Sequence, residues 1–110
     1  MRLPTRPVSR LTAEARRDLA DLKRHYRAAA RPEAILRLAQ ATTAAGLMAD
    51  NPNTRWFAAP RPYPELASAG FRWLKLHRYW FACTTAPDGE GIIHAILYDA
   101  ANIPARLPRP

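Results

Sequence analysis

The densest chemistry in this sequence lies between positions 72 and 79, where Arg72, Lys75, His77, Arg78 and Tyr79 fall close together. Cations bind phosphates or carboxylates, and a phenol or imidazole beside them can move a proton. Such a group could hold RNA phosphates and serve 2′-OH attack on a phosphodiester. With Tyr98 as a second phenol, the candidate catalytic set for RNA cleavage is Arg72, Lys75, Arg78, Tyr79 and Tyr98. The competing role is non-catalytic: the same cations dock an acidic or polyanionic partner, or pair with Glu65, Glu90 or Asp99 at a solvated sheet edge. Trp73, Trp80 and Phe81 are interleaved with these cations and could stack on bases, although aromatics at strand spacing more often fill a core.

Other chemistries are poorly served. The four glycines form neither a GxGxxG nor a GxxxxGK frame, no HExxH is present, and no cofactor or metal is expected. His25, His77 and His94 stand apart from one another and are expected at the surface or hydrogen-bonded in the core. The single cysteine, Cys83, excludes an intramolecular disulfide and is expected to be an inert core thiol in a reducing cytoplasm. No segment approaches the roughly 18 apolar residues needed to span a membrane. Arg2, Pro4, Arg6 and Pro7 break up anything resembling a signal sequence.

Composition agrees with a binding surface. The chain has 110 residues, a formal charge of +8, and 17 Lys and Arg against 9 Asp and Glu. That length suits one domain, and the excess of positive charge favours nucleic acid, an acidic protein segment or a nucleoprotein enzyme.

The elements that must position these residues follow from periodicity. Residues 1–8 form an arm, and Val8 to Leu11 suit a short edge strand, since Pro4 and Pro7 confine pairing to an edge. Thr12 is a candidate N-cap for a helix over 12–30, with Ala15, Leu19, Leu22 and Tyr26 as its apolar stripe. Pro32 opens a second helix whose stripe is Ile35, Leu38, Ala39, Thr42 and Ala45, ended by Gly46 and Asn51-Pro52. The short turn between them predicts an antiparallel helical hairpin. A proline-rich connection over 51–69 leads to three strands, 71–76, 78–85 and 92–98, with Asp88-Gly89 as the hairpin signal. Strict alternation puts Ile92, His94, Ile96 and Tyr98 on one face of the last strand and Ile93, Ala95 and Leu97 on the other. The expected fold is α+β, of order β-α-α-β-β-β, with the hairpin covering one face of a small antiparallel sheet and a cationic face left open.

This ordered set resembles the RelE/ParE toxin superfamily, on its ParE branch. LTAEARRDLADLKRHY is similar to the opening helix of ParE-like toxins in its Ala15, Asp18-Leu19 pair and closing Tyr26. LMADNP is similar to the end of their second helix. GFRWLKLHRYWFACTTAPDGEGIIHAILYDAANIPARL is similar to their three-strand ending, with Arg78-Tyr79 opening the middle strand. The resemblance spans about residues 9–105, taken as one domain, with 106–110 as a tail. It implies a toxin of a type II toxin–antitoxin pair that inhibits DNA gyrase by binding and is neutralised by its antitoxin. Target contacts are then expected at Arg72, Lys75, His77, Arg78, Arg106 and Arg109, and antitoxin contacts at Leu22, Tyr26, Trp73 and Trp80. The segment from Tyr98 to Asn102 departs from the family's His-Gly-x-Arg-Asp-like turn. It lacks the arginine, which counts against the alternative of a RelE-like ribosome-dependent endoribonuclease. A family member that has lost toxicity is a third possibility.

Overall fold

In a computed structural model, which describes residues 10–61, 63–100 and 103–106, Thr12 caps the first helix as expected. Its side-chain oxygen accepts the Ala15 N–H at 3.1 Å. The elements are β1 (Arg10–Leu11), α1 (Ala13–Ala28), α2 (Pro32–Asp50), a 3₁₀ turn (Pro64–Ser68), β2 (Arg72–Leu76), β3 (Tyr79–Thr85), β4 (Gly91–Tyr98) and α3 (Ile103–Arg106). The arm over 1–8 and most of the tail lie outside the described residues.

The four strands form one open sheet in the order β1-β4-β3-β2. β2, β3 and β4 pair antiparallel, but β1 runs parallel to β4, with Arg10 opposite Ile92 and Leu11 opposite Ile93. The sheet is therefore mixed rather than purely antiparallel. The chain must cross the sheet through both helices before returning, and that crossover permits parallel pairing.

α1 and α2 cover one face, over a core that includes Leu38, Leu74, Phe81, Ile93 and Ile96. The opposite face is covered too. Phe71, Trp73, Trp80, Ala82, Ala95 and Leu97 pack there with Ile103, and Tyr63, Leu66 and Ala69 of the long connection close over them. Phe57 bridges to Trp73 and adds a short fifth rung beside β2. The open cationic sheet face expected from the sequence does not exist; proline-rich residues and α3 occupy it.

Strict alternation also fails in β4. Ala82 pairs with Ala95 while the adjacent Cys83 pairs with Ile93, so His94 is an extra residue in the ladder. The bulge reverses parity, and Ile93 joins Ile96 on the helical side instead of Ala95 and Leu97.

α2 is seated on small residues. Its buried positions are Ala34, Leu38, Ala41, Thr42, Ala45, Gly46 and Ala49. Ile35 is only half-buried and Ala39 is exposed, so the stripe lies rotated from the one expected. Gly46 is interior to the helix, which ends instead at Asp50 before Asn51-Pro52. The close seating is tightest at Gly91, where a Cβ would stand 2.4 Å from the Ala49 Cβ.

Among the described residues, no helix is long and apolar enough to cross a membrane.

Candidate functional site

The turn between the helices builds one end of the site. α1 finishes with Arg31 N donating to Tyr26 O at 2.8 Å and Ala30 N to Arg27 O at 3.1 Å. This is the paired pattern of a Schellman cap, and Ala30 holds the left-handed position at φ +56° that glycine usually takes. The cap brings Arg31 back beside Tyr26 at the mouth of a groove of about 660 Å³. α1 supplies Asp18, Leu22, His25 and Tyr26 to its walls, α2 supplies Arg37, the β2–β3 turn supplies Arg78, β3 supplies Tyr79, β4 supplies Ile96 to Tyr98, and α3 supplies Arg106.

Three tyrosines organise the groove. The Tyr26 and Tyr79 hydroxyls share a short hydrogen bond. The Tyr79 and Tyr98 rings lie tilted with centroids 6.0 Å apart. Arg78 Nη1 donates to the Tyr98 hydroxyl at 3.4 Å. Burial, and then the bond to Tyr26, push the Tyr79 phenol well above its ordinary value, so it stays protonated and is unsuited to act as a base.

The groove is cationic. Arg31 pairs with Glu33 at 2.7 Å on its rim, whereas Arg37, Arg78 and Arg106 form no ion pair with another described residue. Asp21 is paired with Arg24 at 2.8 Å. Asp18 lies deeper, and its Oδ2 accepts the Ile96 N–H at 3.0 Å. Burial raises its carboxyl above the usual range, outweighing the lowering by that bond and by Arg106.

The cations expected to act together are dispersed. Arg78 and Arg106 line the groove, and His77 is exposed at the β2–β3 turn with φ +55°. Arg72 lies elsewhere: it stacks 4.8 Å from the Trp56 ring centroid and donates to Thr85 Oγ1, beside a second hollow of about 400 Å³. Lys75 turns to the face of Trp80, 5.8 Å from that ring centroid, and pairs with Asp99 at 3.5 Å. The candidate catalytic set thus splits, with Arg78, Tyr79 and Tyr98 together and Arg72 and Lys75 apart. Arg109 and Asn102 lie outside the described residues.

Of the four expected antitoxin contacts, Leu22 and Tyr26 line the groove. Trp73 and Trp80 do not face a partner at all; they are 0% and 2% exposed, sealed beneath the connection and Ile103. Cys83 is buried, and burial pushes its thiol up to about 12. His94 donates or accepts at Nε2 with Thr84 Oγ1 at 2.8 Å and packs on Phe71. Among the described residues, no cluster of three or more His, Cys, Asp or Glu is placed to hold a metal.

Sequence reasoning missed Arg31, Arg37 and Asp18 as site residues. The predicted hairpin carried the signal for the first two, because it must bring the end of one helix beside the start of the next. The chain matches no protein-family model, no curated protein and no solved structure.

Proposed function

We propose that this chain is a ParE-like toxin of a type II toxin–antitoxin pair, acting in the cytoplasm by binding DNA gyrase and held inactive by its antitoxin. The observation that carries the reading is the groove, where Arg37, Arg78 and Arg106 line the walls beside three tyrosines and form no direct ion pair among the described residues. Guanidiniums beside aromatic walls favour acidic protein surfaces, because they offer planar bidentate donors whose desolvation is cheap compared with that of lysine. The order β-α-α-β-β-β, with the first strand beside the last, supports the same family. A binding role fits better than nuclease chemistry, because Tyr79 is held protonated and tied to Tyr26, while Arg72 and Lys75 lie away from the groove.

The test is DNA supercoiling by purified gyrase with the chain added at micromolar concentration, beside primer extension on mRNA after brief induction. Inhibited supercoiling with intact mRNA is expected. Unaffected supercoiling would remove the gyrase reading, and codon-phased mRNA cuts would replace it with the endoribonuclease. Unchanged growth on expression without the antitoxin would instead favour a chain that has lost toxicity.

A further inference from the structure

The solvent side of α2 carries almost no charge, in a chain whose net charge is +8. From Leu38 to Ala49 the helix has no charged residue at all. A surface helix normally sets charged and polar residues on that side. Here Leu36, Gln40, Thr43 and Leu47 are exposed instead, with Ala39 exposed beside them. Leu36 and Leu47 are each 60% accessible, more than any other large hydrophobic side chain among the described residues. The steps of four, three and four residues between these positions are those of a coiled-coil seam. At the rise of a helix the seam is about 16 Å long.

The seam is self-complementary. With a second α2 laid antiparallel across it, about a two-fold axis between Ala41 and Thr42, Leu36 falls opposite Leu47, Ala39 opposite Ala44 and Gln40 opposite Thr43. A two-fold interface requires this property, because each residue meets its partner twice. Leucine layers then close both ends, an amide and a hydroxyl face each other in the middle, and the alanines let the backbones approach. Charge selects the same occupant. Copies of so basic a chain repel, most of all across the exposed Arg16, Arg24 and Arg27 of α1, and the uncharged seam is where they approach at least cost. The antiparallel setting also brings Asp50 of one helix toward Arg37 of the other and opposes the two helix dipoles. Glu33 at that end is already held by Arg31 at 2.7 Å. We propose that α2 is a homodimer interface, with two copies of this chain paired antiparallel through Leu36, Gln40, Thr43 and Leu47. Both helices are already formed on their sheets, so pairing bears no cost of helix nucleation. Two leucine layers make a small contact, so the dimer depends on concentration, with a Kd of about 10–100 μM. The inference is independent of the toxin reading and is measured without gyrase.

The test is sedimentation equilibrium of the purified full chain from about 5 to about 500 μM, a span that brackets the expected Kd. The wild type is expected to pass from monomer to dimer, and to dimerise several-fold more tightly at about 0.5 M salt than at about 0.05 M, because screening removes the repulsion between basic copies. Leu36→Glu and Leu47→Lys each place like charges on an exposed seam position, and each suits its end of the helix dipole, so both variants should fold. Each alone is expected to weaken dimerisation at least about tenfold, since a charge then faces leucine across the seam. Combined in one chain, the introduced acid of each copy faces the introduced lysine of the other, and dimerisation should recover to within about threefold of wild type. A parallel pairing would instead set acid against acid and lysine against lysine, and the double variant would stay monomeric. Wild type monomeric at every concentration, a dimer indifferent to both single changes, or a folded double variant that does not recover would each overturn the proposal.

Discussion

Removing the Tyr26 or Tyr79 hydroxyl should have unequal costs. Tyr79 is 3% exposed and its hydroxyl is bonded to that of Tyr26, which is only half-buried. Tyr26→Phe strands the more deeply buried hydroxyl, and an unsatisfied buried group costs about 1–3 kcal/mol. Tyr79→Phe leaves the Tyr26 hydroxyl at the groove wall, where water can replace the lost partner, so only the net hydrogen bond of about 0.5–1.5 kcal/mol is lost. The double variant has no stranded group and should cost no more than the larger single change. Urea unfolding of the four proteins gives the cycle, with an expected favourable coupling of about 1 kcal/mol. Additive losses, or a larger loss for Tyr79→Phe than for Tyr26→Phe, would refute the assignment of this pair as the brace between α1 and the sheet.

Three further changes probe the packing of the fold. Gly91→Ala places a methyl group 2.4 Å from the Ala49 Cβ and should destabilise by about 1–3 kcal/mol in urea unfolding, because the neighbouring atoms include helix backbone that cannot rotate away. Ala30→Gly should raise stability by up to about 1 kcal/mol in the same assay: left-handed backbone costs alanine about 1–2, and the greater freedom of glycine when unfolded returns about 0.5–1. His94 has its pKa lowered from 6.5, by burial against a smaller opposing effect of Glu14. The unfolded chain therefore binds its proton first, and the contribution of His94 to stability is present above pH 6.5 and lost as the pH falls below it, through the lower folded-state value. His94→Gln should flatten the decline in unfolding free energy as the pH falls below 6.5; parallel declines would contradict this.

Much of the fold was legible because the local signals agreed. Thr12, Pro32, Asn51-Pro52 and Asp88-Gly89 each mark a boundary by a backbone preference that tertiary structure had no reason to override. What was not legible depended on partners distant in sequence. A strand pattern cannot show that His94 will be extra in its ladder, since a bulge is defined by the pairing of two strands. Strand spacing already made a core place the commoner outcome for Trp73 and Trp80, but only the packing of Tyr63, Leu66, Ala69 and Ile103 over them decides that they are sealed. The alanines of α2 carry too weak a hydrophobic contrast to fix its rotation, so the half-buried Ile35 and the exposed Ala39 entered the expected stripe while the buried Ala34, Ala41 and Ala49 did not. Within the site, Arg78, Tyr79, Tyr98, Leu22 and Tyr26 converge, while Arg72 and Lys75 diverge because neighbours on a strand point to opposite faces.

The most direct trial of the groove as the working surface is a charge-reversal comparison in the gyrase supercoiling assay. Arg37→Glu with Arg78→Glu changes the groove, and Arg16→Glu with Arg27→Glu makes the same change in net charge on exposed positions of α1 that do not line it. The groove pair is expected to raise the half-inhibitory concentration by more than about tenfold, while the α1 pair shifts it by less than about threefold. Equal shifts for the two pairs would mean that overall charge, rather than this groove, engages the target.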